Sequence, residues 1–192
     1  LGVKKETPEP PLHDMEESNA FSFVTPTEVV DLPSRGEFYP PGHPLYQVDA
    51  VEIRYMTAKE EDILTSRSLL KKGLAVDRLL QNVIVDKNIR VDDLLVGDKN
   101  ALIVASRITG YGREYNVNVT CPFCGANQEH LFDLHAAEHK FPENLEELGV
   151  TKTDSGTFLI ELPKTKLNAE VRLLTGKDEK DHSQREEKRK KL

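Results

Sequence analysis

Twice along the chain an alternating apolar run gives way to a polar helical one, and both changes use nearly the same letters. The first is Ile53-Arg54-Tyr55-Met56-Thr57-Ala58-Lys59-Glu60-Glu61-Asp62 and the second is Val171-Arg172-Leu173-Leu174-Thr175-Gly176-Lys177-Asp178-Glu179-Lys180. A β-prone run ends at a Thr, an acid follows three residues later, and a helix-forming run begins. That spacing predicts a capping box, with the Thr hydroxyl on the third helical amide and the acid reaching back to the cap amide. Such a cap contributes about 1 kcal/mol. Arg and Lys also recur at matching places, which leaves two readings: an internal duplication, or convergence on a good strand-to-helix junction.

The rest of the pattern is laid out around these two junctions. Phe21, Phe23, Val24, Val29 and Val30 form a short apolar segment. Residues 31–44 follow with Pro33, Gly36, Pro40, Pro41, Gly42 and Pro44, too many breakers for a helix or central strand, so a stiff, turn-bearing loop is expected. Residues 47–56 alternate as a half-buried strand does. A helix is predicted from Thr57 to Lys72 with Gly73 as its C′ residue, and a second over residues 76–85. A helical turn is expected at residues 92–95, and a third helix, capped by Asp98, should run through Arg107 to Gly110. From Glu114 the period becomes two: Tyr115, Val117 and Val119 alternate with polar residues, Cys121-Pro122-Phe123-Cys124-Gly125 turns, and residues 128–134 return. A short helix at 141–148 and strands at 157–162 and 169–174 complete the series, and the helix after Thr175 has almost no apolar face.

Composition changes this picture at the ends. A chain of 192 residues has room for one substantial core. With 38% hydrophobic and 31% charged residues, it is more polar than an ordinary globular domain, and the excess lies in residues 1–19 and 177–192. The first stretch carries Pro8, Pro10 and Pro11 among acids. It cannot offset an ordering cost of about 1–2 kcal/mol per residue, so it is expected to be disordered alone, either a floppy tail or an arm that orders against a neighbour. Five segments result: an extended arm (1–28), a Pro-rich loop with strand and helical core (29–112), a Cys-knuckle hairpin (113–140), a short helix with strands (141–175) and a charged helix (176–192). The expected class is α+β, a small three-helix core against short β-strands, with a zinc-ribbon-like β-hairpin and extended termini. The chain begins at Leu1 and stops inside a charged run, so both true termini are expected to lie outside these letters.

Charge and cysteine content narrow the chemistry. A net charge of −7 argues against a protein whose main task is gripping phosphate backbones, although Lys188, Arg189, Lys190 and Lys191 form a local basic run beside Glu186 and Glu187. There is no apolar run of about 18 residues, so no membrane helix is expected. The two cysteines, Cys121 and Cys124, are no disulfide framework. Cys-Pro-x-Cys-Gly is a zinc-ribbon knuckle, but a structural zinc takes four ligands. Cys121, Cys124, His135 and His139 are therefore the candidate Zn2+ set, His130 being a further nearby imidazole. An empty knuckle and a redox dithiol are the other readings. His135-Ala136-Ala137-Glu138-His139 also spells the His-x-x-Glu-His of inverted zinc peptidases, in which Glu138 would be the general base; a polar turn with two solvated histidines explains the same letters. No Gly-rich phosphate loop, nucleophile elbow or paired-carboxylate site stands out, so no enzyme is expected.

Several ordered motifs resemble one family. Asp31-Leu32-Pro33-Ser34-Arg35-Gly36 with Tyr39, Met56-Thr57 with Glu61-Asp62, Asp93-Leu94-Leu95-Val96-Gly97-Asp98, and the run from Arg107 through Tyr115 into Cys121-Pro122-Phe123-Cys124 are similar to the baseplate hub subunit family of T-even-type contractile-tailed bacteriophages. The strand with its Thr-capped acidic helix more loosely resembles phage tail assembly chaperones. The resemblance spans about residues 29–134 and implies a non-enzymatic structural protein in the virion tail baseplate, assembled in the host cytoplasm. Its partners would be other baseplate, hub and tail proteins, with neither membrane nor nucleic acid expected. A transient assembly chaperone and a zinc-ribbon nucleic-acid binder are the alternatives.

Overall fold

The computed structural model describes residues 25–138, 144, 145, 147–153 and 155–190, so the expected arm at residues 1–19 and Phe21, Phe23 and Val24 lie outside it. Strand β1 (Thr27–Asp31) pairs antiparallel with β2 (Ala50–Arg54), Val30 opposite Val51 and Glu28 opposite Ile53. The Pro-rich loop between them closes on itself. The Leu32 N–H donates to the Asp49 carbonyl at 2.7 Å, and the Gln47 N–H to the Gly36 carbonyl at 3.0 Å. Gly36 has φ +70°, and a Cβ there would lie 2.3 Å from the Val48 nitrogen, so both dihedral and space demand glycine. This fastening drives Leu32, Tyr39 and Leu45 inward, where they are nearly inaccessible.

Past Thr57 the chain forms α1 (Ala58–Thr65) and α2 (Arg67–Lys71), not the single expected helix. Ser66, with ψ 108°, is extended between them. The Thr65 hydroxyl bonds back to the carbonyls of Glu61 and Asp62, the local competition by which hydroxyl side chains weaken helices. Gly73 ends the pair at φ +65°. Helix α3 (Ala75–Val83) buries Leu79, Leu80 and Val83 and leaves Val76 outward. A 3-10 turn (Val91–Asp93) leads to α4 (Val96–Tyr111), and Gly112, at φ +82°, follows as the cap. Asp98 does not cap this helix: Leu95 holds that position and Asp98 lies inside the first turn, fully buried.

Strands β3 (Glu114–Thr120) and β4 (Asn127–Asp133) form the expected antiparallel hairpin, Tyr115 opposite Phe132 and Val117 opposite His130. Of the expected helix at 141–148, residues 141–143 and 146 lie outside the described set, and residues 145 and 147–149 form turns. Next come β5 (Val150–Lys152), which the sequence pattern did not suggest, then β6 (Phe158–Glu161) and β7 (Asn168–Val171), in sheet order β5-β6-β7. Helix α5 (Gly176–Lys190) ends the described chain. The protein is thus α+β, with five helices and three small sheets among the described residues. Its core lies where the inner face of β1 and β2, the folded loop, α3 and α4 meet, around Leu32, Ile53, Leu80, Ile84, Leu94 and Leu102. The three-stranded sheet leans on the loop: Phe158 packs edge-on against Phe38 at 5.6 Å, and Lys152 Nζ donates to the Glu37 carbonyl.

Candidate functional site

The two look-alike junctions adopt the same side-chain geometry. In the first, the Thr57 N–H and hydroxyl both donate to Glu60 Oε2, at 3.0 and 2.6 Å, while Arg54 donates through two nitrogens to the same carboxylate at 3.3 and 2.6 Å. In the second, the Thr175 N–H and hydroxyl donate to Asp178 Oδ2 at 3.0 and 2.9 Å, and Arg172 holds both oxygens at 2.6 Å. Arg, Thr and acid thus form one three-residue lock across the strand-to-helix turn, a charge-assisted fork with the cap built in. The corresponding acids differ in length, Glu and Asp, but the spacing is retained.

What differs is the surroundings. The Glu60 side chain is fully buried and Arg54 is 25% exposed, whereas Asp178 is 23% and Arg172 58% exposed. The first lock is roofed by the end of α3: Arg54 Nε donates to the Asn82 carbonyl at 3.1 Å, and the Val85 N–H donates to the Glu52 carbonyl at 3.1 Å. Burial alone would raise the Glu60 carboxyl, but the hydrogen bonds from Arg54 and Thr57 outweigh it and hold it at about 2. The second lock carries no such roof among the described residues. Its Asp178 is also held well below the carboxylate range, chiefly by Arg172. Around it Leu173 and Leu174 stand exposed at 41% and 60%.

Two further polar clusters join distant parts of the chain. Buried Asp98 accepts from the Ser34 N–H (2.9 Å), the Ser34 hydroxyl (2.6 Å) and the Tyr39 hydroxyl (2.7 Å), and the Tyr39 oxygen accepts the Leu95 N–H at 3.0 Å. Burial, then the Asp98 charge, raise the Tyr39 phenol far above its ordinary value. The Ser34 and Tyr39 of the Pro-rich loop are therefore bolted to the first turn of α4. The second cluster seats α5: Lys99, 7% exposed, reaches Asp77 at 3.0 Å and Glu179 at 2.7 Å, while Lys180 reaches Asp77 at 2.9 Å and also Asp92. Burial would weaken these charges, but their mutual hydrogen bonds lower Asp77 and raise Lys99 and Lys180. The backbone adds to the seat, with Val96 N–H donating to Leu174 O and Gly176 N–H to Leu94 O, each at 2.9 Å. No sequence periodicity could have revealed this network, because its members come from α3, the 3-10 turn, α4 and α5.

The hairpin β3–β4 is exposed at nearly every position, including Tyr115 (44%), Val119 (42%) and Phe132 (45%) on its apolar face. At its root Arg107 donates to the Gly112 carbonyl and lies 4.9 Å over the Tyr111 ring. At its tip the Gly125 N–H donates to the Cys121 carbonyl and the Cys121 N–H to the Ala126 carbonyl, both at 2.9 Å, which closes a tight turn. The Cys121 thiol is lowered by hydrogen bonds from the Cys124 and Phe123 backbone. Phe123 between the thiols is 98% exposed.

Of the expected ligands that the structure describes, His135 stands apart from the two thiols. His135 follows β4 at the opposite end of the hairpin from Cys121 and Cys124, some 20 Å away at about 3.4 Å per residue. His130 lies midway along β4, edge-on to Phe132, and His139 lies outside the described residues. His135 and Glu138 line an open groove with Val29, Val104 and Ile108 instead. Among the described residues no group of three or more His, Cys, Asp or Glu side chains is placed to hold a metal ion. No helix among the described residues is long and apolar enough to cross a membrane.

Set beside known proteins, residues 25–184 match the model of a family described as T4 bacteriophage base plate protein. No curated protein and no solved structure matches the chain.

Proposed function

Because this chain belongs to the T4 bacteriophage base plate protein family, we propose that it is a non-enzymatic architectural subunit of the hub region, acting in tail assembly through contacts with neighbouring baseplate proteins. The observation that carries this reading is the contrast between the two Arg-Thr-acid locks: one is buried under α3, the other stands open beside exposed Leu173 and Leu174. A lock already closed at 2.6 Å by its own residues is a rigid platform, ready to receive a neighbour without reordering. The uncovered apolar face of the β3–β4 hairpin is a second such platform.

The buried charged groups support the same reading. Glu60, Asp98 and Lys99 are all engaged by the chain's own backbone and side chains, where they fasten one element to another. The resulting unit is a stiff body with contact surfaces on its outside.

Mass spectrometry of purified virions and of isolated baseplates tests the proposal. The expected result is the chain at fixed stoichiometry in both preparations. Its presence in assembly intermediates but absence from finished particles would overturn the architectural role in favour of a transient chaperone.

A further inference from the structure

The Cys121–Cys124 tip has chemistry that the architectural reading leaves unused. Its turn is shaped by two backbone hydrogen bonds of 2.9 Å, from Gly125 N–H to Cys121 O and from Cys121 N–H to Ala126 O, with Gly125 at φ +71°. A closed Cys-x-x-Cys turn can offer two thiolates to one metal ion at adjacent corners of a tetrahedron. The remaining two corners need donors. Cys121 and Cys124 are the only cysteines in the sequence, and His135 lies at the far end of the hairpin.

We propose that this tip is one half of a four-thiolate zinc site, completed by the same tip of a second copy of the chain. Four thiols release their protons to solvent and four Zn–S bonds of about 2.3 Å form, with no change of oxidation state. A tetrahedron has twofold axes that exchange one pair of corners with the other, so two identical knuckles related by such an axis meet the metal's geometry. The contact is then the isologous, closed kind. The tip is suited to that approach. Residues 121–126 carry no charged side chain, so two chains of net charge −7 can meet there with less repulsion than across their acidic surfaces. Phe123, 98% exposed between the thiols, would gain cover from the opposite tip. Both faces of the hairpin are open, so the strands offer no bulk that would hold two tips apart.

The test uses the full chain under a non-thiol reductant, titrated first with Co2+ and then with Zn2+, while absorption and sedimentation mass are followed. The expected results are saturation at one metal per two chains, the charge-transfer absorption of a tetrahedral four-thiolate cobalt centre that zinc abolishes, and a mass that doubles only when metal is present. Cys124→Ser should lose all three while keeping the wild-type circular dichroism spectrum, and His135→Ala with His139→Ala should keep all three. Saturation at one metal per chain in a monomer, a cobalt spectrum showing nitrogen ligands, dimerisation indifferent to metal, or no binding at all would each overturn the proposal. None of these outcomes depends on whether the chain occupies the baseplate hub.

Discussion

Replacing Glu60 by Gln removes the charge from the buried lock while preserving its shape, and the structure sets the size of the effect. Burial raises the Glu60 carboxyl, but the hydrogen bonds from Arg54 and Thr57 bring it from 4.5 down to about 2. At about 1.4 kcal/mol per pH unit, that depression corresponds to about 3 kcal/mol of folding stability. Removing one partner of a buried pair costs about 3–5 kcal/mol in other proteins, and Arg54, still 25% exposed to water, places this pair at the lower end. Because the folded value is depressed, the stabilisation is present above pH 4.5 and disappears as pH falls through about 2. Urea denaturation followed by circular dichroism should therefore show Glu60→Gln about 3 kcal/mol less stable than wild type at pH 7, the gap closing progressively below pH 4.5. Asp178→Asn, the same change in the exposed lock, should leave the midpoint close to wild type. Equal losses at the two sites, or a Glu60→Gln gap that persists unchanged to pH 2, would refute the argument that burial sets the strength of this lock.

Other expectations follow from the packing. Lys99→Met should cost about 2 kcal/mol, less than a fully broken pair because Asp77 keeps Lys180, and should speed amide hydrogen exchange in α5. The seat of α5 should weaken at both pH extremes: depressed Asp77 loses its contribution as pH falls below 3.8, and raised Lys99 and Lys180 lose theirs as pH climbs above 10.5. Ser106→Ala should raise stability by about 1 kcal/mol, since the buried hydroxyl has no hydrogen-bond partner among the described residues and Ala is the better helix former; thermal denaturation would show it. Gly36→Ala should lower stability by about 3 kcal/mol or more, its Cβ lying against backbone at positive φ. Gly110→Ala should be far milder, because the atom in its way is the sulfur of flexible Met56.

Local chemistry was legible in the letters and long-range chemistry was not. Thr-x-x-acid marked both junctions and the acid's bond to the cap amide, but the fork from Arg54 or Arg172, six residues before the acid, and the Thr hydroxyl's bond to the carboxylate were not expected from the letters. The hairpin could be read from the alternation of its first strand and the end of α2 from Gly73, while α4 runs one residue past the expected stop at Gly110 and is capped by Gly112. The break at Ser66 was missed because the competing bonds of Thr65 carry no periodic signature. Asp98 looked like a helix cap because acids favour first turns, yet its carboxylate is taken by Ser34 and Tyr39, more than fifty residues earlier in the chain. The five-charge seat of α5 has the same cause: tertiary packing chose those partners. The apolar residues that alternate along β3 would suit a buried face, whereas the described residues leave both faces of the hairpin open. An apolar face records a need for cover, and the cover can come from a neighbouring protein.

An electron cryo-microscopy map of the assembled baseplate bears most directly on the central claim that this is a rigid architectural body with its contact surfaces on the outside. Density of adjoining subunits is expected against Arg172, Leu174 and Asp178 and over the Tyr115–Phe132 face of the hairpin, with the Arg54–Thr57–Glu60 lock unchanged. Both surfaces bare to solvent in the assembled particle would contradict it.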